Sequence, residues 1–171
     1  MRFLSAKWNH LLLANYAVDP QVLLPYVPKG TSLDFFEGHA FVSLVAFMFN
    51  DTRVMGLAFP GHTNFEEVNL RFYVKPDHDP SIRAVTFIKE IVPKRLIPVI
   101  ANNLFDENYV CLPMSHKNVS HKSVSYTNEE SSHSYSWDSG VNNTFSAQVD
   151  TGLSLPQPGS VGEFITEHYW G

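Results

Sequence analysis

Two adjacent cations, Lys94 and Arg95, are the residues of this sequence whose types and positions best suit a chemical reaction. They follow Pro93 and stand between a β-like segment and an apolar helical segment. A cation beside a lysine in a partly dry site favours the neutral amine, which is the form that attacks a carbonyl carbon. The pair therefore predicts an amine nucleophile at Lys94, activated by Arg95. The alternative interpretation is solvated surface charge, because charge runs usually face water.

A second set of polar residues alternates with apolar residues along one predicted strand. The polar positions are Glu67, Asn69, Arg71 and Tyr73, and the apolar positions are Val68, Leu70, Phe72 and Val74. Because successive side chains of a strand point to opposite faces, one face is polar and the other apolar. The polar face would line either solvent or a central pocket, and the pattern is compatible with both. The apolar face is expected to pack against the helix that carries Leu96 and Ile100.

The elements that must position these residues are mostly strands. Asp19 as N-cap, with Pro20 at the first helical position, predicts a helix that ends at Tyr26. Strands at 31–36 and 40–49 flank the Gly-containing connection Glu37-Gly38-His39, which is typical of a β-hairpin. Beyond the strand at 65–74, the pattern predicts a strand at 82–91, a helix at 95–105, an antiparallel meander between 108 and 155, and a short helix at 163–168.

Composition limits the classes of function. The 171 residues are 44% hydrophobic and 13% aromatic, which predicts one globular domain spanning residues 1–171. The net charge of −5 and the pI near 5.9 disfavour a nucleic-acid partner, which would require a basic face. The longest apolar stretch, at 40–49, is about half of the ~20 residues that a membrane helix needs, so no membrane association is expected.

Cysteine and histidine usage limits the chemistry further. Cys111 is the single cysteine, which suits a reducing compartment, and no secretory signal is visible, so a cytoplasmic location is expected. The eight histidines show none of the spacings of zinc-binding motifs, and no glycine-rich phosphate loop is present. The sequence therefore predicts neither a metal nor a cofactor. It leaves open an assembly of identical copies.

Three segments of the chain resemble the YqjF-like relatives of acetoacetate decarboxylase. They are 65–74, then Glu90 to Ala101 running on to Glu107-Asn108-Tyr109, and Phe164 to Trp170. Within the second segment, Pro93-Lys94-Arg95-Leu96 resembles the Pro-Lys-Lys-Leu segment of the decarboxylase, whose first lysine forms a Schiff base with the substrate ketone. The resemblance implies a mainly β (α+β) fold, a conical antiparallel sheet or barrel with a few packed helices. It also implies that further strands would follow Gly171, so the chain is expected to be either naturally short or cut there.

The resemblance also implies roles for the candidate residues. Lys94 would form the Schiff base, with Arg95 in the place of the second lysine, and Glu67 would handle the proton that moves when an enamine forms. Asn69, Arg71 and Tyr73 would contact the substrate from the polar strand face. The decarboxylase directs an arginine near its N-terminus toward the substrate carboxylate, whereas the matching segment at 7–10 has none. Acetoacetate is therefore not the expected substrate, and Lys7 or Arg71 is the candidate replacement cation.

Three functions of different classes follow from these observations. The first is a lyase-like enzyme that acts on a small keto acid through a Schiff base at Lys94. The second is a non-catalytic protein that keeps the pocket and binds a small molecule. The third is an interaction protein that uses an exposed aromatic surface. Trapping of an iminium at Lys94 separates the first function from the second.

Overall fold

The structure is a computed structural model that describes residues 4–54, 56–105, 108–122, 129–149 and 154–168. These residues form a mainly β fold, as expected. Of the segments that carry the family resemblance, Glu107, Tyr169 and Trp170 lie outside the described residues. The strands are β1 (Leu4–Val18), β2 (Thr31–Leu33), β3 (Ala40–Val54), β4 (Phe65–Pro76), β5 (Ala84–Val92), β6 (Tyr109–Cys111), β7 (Met114–Lys122), β8 (Glu129–Asp138) and β9 (Asn142–Val149). The α-helices are α1 (Leu96–Phe105) and α2 (Val161–Thr166).

The strands form two sheets. The larger sheet has the order β1-β3-β4-β5-β6, with β2 paired to β4, and the smaller sheet has the order β7-β8-β9. Strands β7, β8 and β9 pair antiparallel, which agrees with the predicted meander. Strands β5 and β6 instead pair in parallel, with Glu90 opposite Tyr109. The parallel pair follows from the connection, because α1 carries the chain back to the end of the sheet at which β5 began.

The chain forms two compact units. The first unit comprises Met1–Leu13, Val45–Asn69 and Glu90–Leu153, and the second comprises Ala14–Leu44, Leu70–Lys89 and Ser154–Gly171. Each of the strands β1, β3, β4 and β5 contributes one end to each unit. Lys94, Arg95, Glu67 and Asn69 therefore belong to the first unit, whereas Arg71 and Tyr73 belong to the second.

The core of the first unit is rich in phenylalanine. Its buried members are Val45, Phe47, Phe49, Phe65 and Val92, and the partly buried Ile97 and Tyr109 pack against them. Helix α1 thus contacts the core through Ile97, whereas Leu96 is 42% exposed. The expectation that Leu96 faces the core is wrong. Apolar residues occur almost all the way around this short helix, so their spacing does not select one face.

The core of the second unit contains the other half of β4. Phe72 and Val74 pack with Leu23, Leu33 and Ala40 in this unit, so the expectation that they pack against α1 is wrong. Leu70 is only half-buried. The strand is buried along both faces, because Glu67, Asn69 and Tyr73 are as inaccessible as their apolar neighbours. The alternation of polar and apolar residues therefore does not mark a solvated face of this strand.

Local signals explain the short helical segments. The Asp19 carboxylate accepts a hydrogen bond from the Gln21 N–H at 2.9 Å, which confirms the predicted cap. The helix expected at 20–26 is two 3-10 turns, since Pro25 inside it has no N–H to continue the hydrogen-bond pattern. Ser160 caps α2 by accepting from the Glu163 N–H. Among the described residues, no helix has the length and apolar character required to cross a bilayer.

The predicted hairpin is only a local turn. Phe36 and His39 exchange two backbone hydrogen bonds across Glu37 and Gly38. Both central residues have a positive φ, of 49° and 82°, which a two-residue turn of this kind requires and which glycine adopts without strain. Strand β2, however, pairs with β4. The turn reverses the chain, but longer-range burial of Leu33 opposite Val74 determines the partner of β2.

Phe72 and Leu96 give a direct test of the observed packing. Phe72→Ala should lower the free energy of unfolding by about 3 to 5 kcal/mol, because it opens a cavity at a side chain that is 0% exposed. Leu96→Ala should lower it by only about 0.5 kcal/mol, since Leu96 is largely in solvent. Urea unfolding of both variants measures the difference. Equal losses would contradict the observed placement of α1.

Candidate functional site: a buried carboxylate and its phenol

Glu67 is the centre of a buried polar cluster in the first unit. Its side chain is 2% exposed, and that of Asn69 is 3% exposed. The Asn69 amide donates a hydrogen bond to Glu67 Oε1 at 2.8 Å, and the Tyr109 hydroxyl donates one to Glu67 Oε2 at 3.0 Å. Both carboxylate oxygens therefore accept hydrogen bonds, as a buried carboxylate requires. The solvent interpretation of this part of the strand face is wrong.

Tyr109 is held in place through both its backbone and its side chain. Its backbone N–H donates to the side-chain oxygen of Asn102 at 2.9 Å, and its carbonyl accepts from the side-chain nitrogen of Asn102 at 2.8 Å. The Asn102 amide thus pairs with the first residue of β6 in the way that a neighbouring strand would. At the other end, the ring of Tyr109 packs against the apolar core of the first unit. The hydroxyl of Tyr109 is therefore fixed relative to Glu67.

Glu90 is a second buried carboxyl group beside Tyr109. It is 3% exposed and lies directly opposite Tyr109 in the parallel pairing of β5 and β6. Residues paired in this way extend from the same face of the sheet and lie close together. Burial raises the pKa of Tyr109, and the negative charges of Glu67 and Glu90 raise that pKa further.

The predicted nucleophile and its neighbour follow β5 in the same unit. The Lys94 side chain is half-buried, and that of Arg95 is exposed. The Lys94 carbonyl accepts from the Ile97 N–H at 3.2 Å at the start of α1. Pro98 is the third residue of α1, where a backbone N–H would have no partner within the helix, so it does not interrupt the helix. Lys94 is thus anchored by its backbone between β5 and α1.

The two predicted substrate-binding residues of the second unit have separate surroundings. The Tyr73 hydroxyl is hydrogen-bonded to Ser43, which in turn donates to Asn15 Oδ1 at 2.6 Å. Burial raises the pKa of Tyr73. Arg71 is half-buried, and within the described part of the chain its buried Nε has no hydrogen-bond partner. Roles for Arg71 and Tyr73 in substrate binding stay predictions.

A second buried ionic group lies in the second unit. Asp34 accepts from the Lys75 ammonium at 2.8 Å and contacts His168 Nε2 at 3.2 Å. The other ring nitrogen of His168 is 2.7 Å from the Phe164 carbonyl. Burial lowers the pKa of His168. Since His168 follows α2 and Asp34 follows β2, this group attaches the C-terminal helix to the second unit.

Glu90 and Tyr109 are the site residues that the sequence pattern did not single out. Glu90 alone could have indicated the site from the sequence. A carboxylate within the apolar run of β5 must have a polar partner if that strand is buried. Its partner could not be identified from the sequence, because Tyr109 reaches Glu90 only through the parallel pairing across α1. A carboxylate bonded to a phenol in an apolar wall can accept, hold and return a proton, which is the chemistry of a general acid or base.

Replacement of Tyr109 by phenylalanine should change the alkaline stability of the protein. An unfolded tyrosine loses its proton near pH ~10, whereas the raised pKa keeps the proton on folded Tyr109, so stability falls as pH rises above about 10. In Tyr109→Phe, which lacks this hydroxyl, the free energy of unfolding should fall less steeply with pH, by about 1.4 kcal/mol per pH unit. Urea unfolding between about pH 10 and 12 measures the slope.

Exposed Tyr16 provides the control for this measurement. Tyr16→Phe should leave the slope unchanged, because the Tyr16 side chain is largely in contact with water before and after unfolding. Tyr135→Phe should also reduce the slope, since burial raises the pKa of Tyr135 to about 12. A Tyr109→Phe slope equal to that of the parent protein would contradict the burial of this hydroxyl.

Comparison with known proteins gives a family and a fold. A family model described as an uncharacterized conserved protein matches residues 5–171. The protein YqjF of Bacillus subtilis (strain 168), itself described as uncharacterized, is 38% identical over 76 residues, which are 44% of this chain and 31% of YqjF. This region of likeness thus covers about a third of the length of that relative.

Among solved structures, the chain is similar to the enduracididine biosynthesis enzyme MppR. The complex of MppR with the condensation product of pyruvate and imidazole 4-carboxaldehyde has a TM-score of 0.61 at 13% identity, over 86% of this chain and 56% of that chain. The pyruvate complex has a TM-score of 0.60 at 14% identity, over 86% and 57%. An acetoacetate decarboxylase from Legionella pneumophila has a TM-score of 0.47 at 11% identity, over 75% and 47%. The chain thus shares its mainly β fold with MppR.

Proposed function

This chain belongs to the DUF2071 family of uncharacterized conserved proteins, and we propose that it is a Schiff-base enzyme acting on a small keto acid. Lys94 is the nucleophile, Arg95 favours its neutral amine, and Glu67 transfers the proton. The observation that carries the proposal is the buried carboxylate of Glu67, bonded to Asn69 and Tyr109, in the same compact unit as Lys94. A structural role alone does not require two carboxyl groups and a phenol in an apolar core, because such groups are expensive to bury.

The reaction consumes one proton in its decarboxylating form. The neutral amine of Lys94 attacks the keto carbon, and loss of water gives an iminium. If the substrate is a β-keto acid, the iminium accepts the electron pair of the C–C bond that breaks, so carbon dioxide leaves and an enamine remains. Protonation of the enamine carbon and hydrolysis of the resulting iminium release the product and return the free amine. Glu67 is proposed as the group that delivers that proton.

A related proton transfer needs no C–C bond cleavage. An iminium of pyruvate is acidic at its methyl group, so a base can remove a methyl proton to give the enamine. Glu67 accepts hydrogen bonds at both oxygens, an arrangement suited to a carboxylate that acts as the base in that step. Exchange of the methyl protons thus reports on Glu67 separately from decarboxylation.

The fold comparison supports the substrate class. MppR has been solved with pyruvate, a small keto acid, and with a condensation product of pyruvate. The identity to MppR is only 13–14%, so this likeness shows a shared fold. That the present chain acts on the same class of substrate is therefore part of the proposal. A non-catalytic protein that binds small molecules is the alternative, and the same experiment distinguishes the two.

Trapping with borohydride tests the proposal. With pyruvate and sodium borohydride at neutral pH, Lys94 should become a stable secondary amine, because the hydride reduces an iminium only where one forms. Lys94→Arg should abolish the modification, whereas Lys89→Arg, which changes an exposed lysine of β5, should not. Peptide mapping by mass spectrometry gives the position of the added mass.

The outcomes separate the two functions. Modification at Lys94 alone supports the enzyme. Pyruvate binding detected by calorimetry without any trapped amine supports the binding protein and overturns the enzyme. Equal modification of several exposed lysines would show ordinary surface reactivity.

Arg95 gives a further test of the amine chemistry. Arg95→Gln removes the positive charge next to Lys94, and on the proposed mechanism aldehyde labelling of Lys94 at neutral pH should become slower, by about threefold to tenfold. Arg53→Gln, at an exposed arginine of β3, is the matched control. Labelling rates are measured as a function of pH by mass spectrometry. Identical pH profiles for the parent and the Arg95→Gln variant would mean that the two cations do not interact.

A further inference from the structure

Arg71 and Tyr73 are two residues apart on β4 and therefore share a face of that strand, and the proposed reaction uses neither of them. We infer that Arg71 is the centre of a binding site for a small organic carboxylate in the second unit. The inference goes beyond the proposed function. All the residues that carry it belong to the second unit, so it does not depend on any reaction at Lys94.

The Arg71 guanidinium has a donor that the protein leaves unused. The Nε atom of Arg71 is buried, and within the described part of the chain it has no hydrogen-bond partner. A buried donor without an acceptor costs free energy, and in most proteins such a donor is bonded to another group, to water or to an ion. The guanidinium also keeps its positive charge at every working pH. An unused donor on a permanent cation favours an anion as the missing partner.

The phenol of Tyr73 is not a donor for such an anion. The Ser43 hydroxyl has one proton, which it donates to Asn15 Oδ1 at 2.6 Å. The proton in the hydrogen bond between Ser43 and Tyr73 therefore comes from Tyr73. Both of these side chains are fully buried, so the network is closed to solvent at this point. The phenol oxygen can accept further hydrogen bonds but has no proton to donate, which leaves Arg71 as the donor of the site.

Two carboxylates of the second unit form ion pairs with other cations. The buried Asp34 pairs with the Lys75 ammonium at 2.8 Å. Glu167 pairs with the Arg83 guanidinium at 2.6 Å. These two acids are thus already neutralised without Arg71. An acid from outside the chain fits the Arg71 guanidinium as its counter-ion.

The shape and charge of the guanidinium select a carboxylate among anions. Its N–H groups lie in one plane and form a fork, so two of them can donate in parallel to the two oxygens of a carboxylate. One cation balances the single charge of a carboxylate, whereas a phosphate group carries nearly two charges at pH 7. Because Arg71 as a whole is only half-buried, a small anion can approach it, and a turn of this flexible side chain brings Nε–H to the anion.

NMR of the arginine Nε–H groups tests the site in the parent protein. The Arg71 signal is assigned through its connection to the Arg71 backbone, so no variant is needed. Acetate should move the Nε proton signal downfield until the site is saturated, because an N–H that donates to a carboxylate is deshielded. Chloride at the same concentration should leave the signal in place, since it has no second oxygen to match the fork. A signal that ignores acetate, or that moves equally with chloride, would overturn the inference.

Substitution of Arg71 tests whether the fork is required. Line broadening in the fluorine NMR spectrum of trifluoroacetate reports binding of this carboxylate. Arg71→Gln should weaken binding about tenfold, because the charge-assisted hydrogen bonds are lost. Arg71→Lys should also weaken it, since an ammonium keeps the charge without the fork. Arg53→Gln, at an exposed arginine of β3, is the matched control and should bind as the parent protein does. Full binding by either Arg71 variant would contradict the inference.

The inference and the proposed function can fail separately. Lys94→Arg should bind trifluoroacetate as tightly as the parent protein, because the site lies in the second unit. Carboxylate binding at Arg71 without borohydride trapping at Lys94 would end the Schiff-base proposal and leave the carboxylate site standing. Trapping at Lys94 without any response of the Arg71 signal would end the carboxylate site and leave the enzyme. If the Arg71 variants fail to fold, the Arg71 signal of the parent protein still decides.

Discussion

Burial of the Glu67 carboxylate is the constraint on which the arrangement of the first unit depends. A charge removed from water is tolerated only if its oxygens find donors, and here the donors come from Asn69 on the same strand and Tyr109 on β6. The Asn69 donor is local, because residues two apart in a strand share a face. The Tyr109 donor is not local and requires β6 to be held in one register. The position of β6 is therefore coupled to the burial of Glu67.

The register of β6 is determined by α1 and by one amide side chain. Strand β6 has only three residues, and its parallel pairing with β5 is short. The Asn102 amide adds two hydrogen bonds to the backbone of Tyr109, so the helix that begins after Lys94 also positions the phenol. The predicted nucleophile Lys94 and the phenol of Tyr109 thus lie at the two ends of α1, within the connection β5-α1-β6. Such an arrangement keeps the two residues in fixed positions, because secondary structure is more rigid than loops.

The second unit also contains a buried carboxylate, which is stabilised there by a positive charge. Asp34 is buried together with His168, and the Lys75 ammonium supplies the positive charge. The rings of Tyr73, Phe164 and His168 surround this group at centroid distances of 4.7 to 5.6 Å. The C-terminal helix α2, only six residues long, is too short to be stable alone and depends on this packing. Buried polar groups in the two units therefore have different consequences: hydrogen bonds that join β4 to β6 in the first, and the attachment of a helix in the second.

The amino-acid sequence by itself determined the mainly β character, the Asp19 cap, the antiparallel meander that contains Tyr135, and the family resemblance around Lys94. These features depend on local periodicity, on turn chemistry and on short motifs. Each of these signals is contained within a few consecutive residues. Only the tertiary structure decided that Glu67 and Asn69 are buried, that Leu96 faces solvent, that β2 pairs with β4, and that Glu90 meets Tyr109. The physical reason is that an alternating strand indicates two faces without indicating what covers them, and a helix with apolar residues on several sides does not select its contact face. Burial and strand partnership arise from residues distant in the sequence.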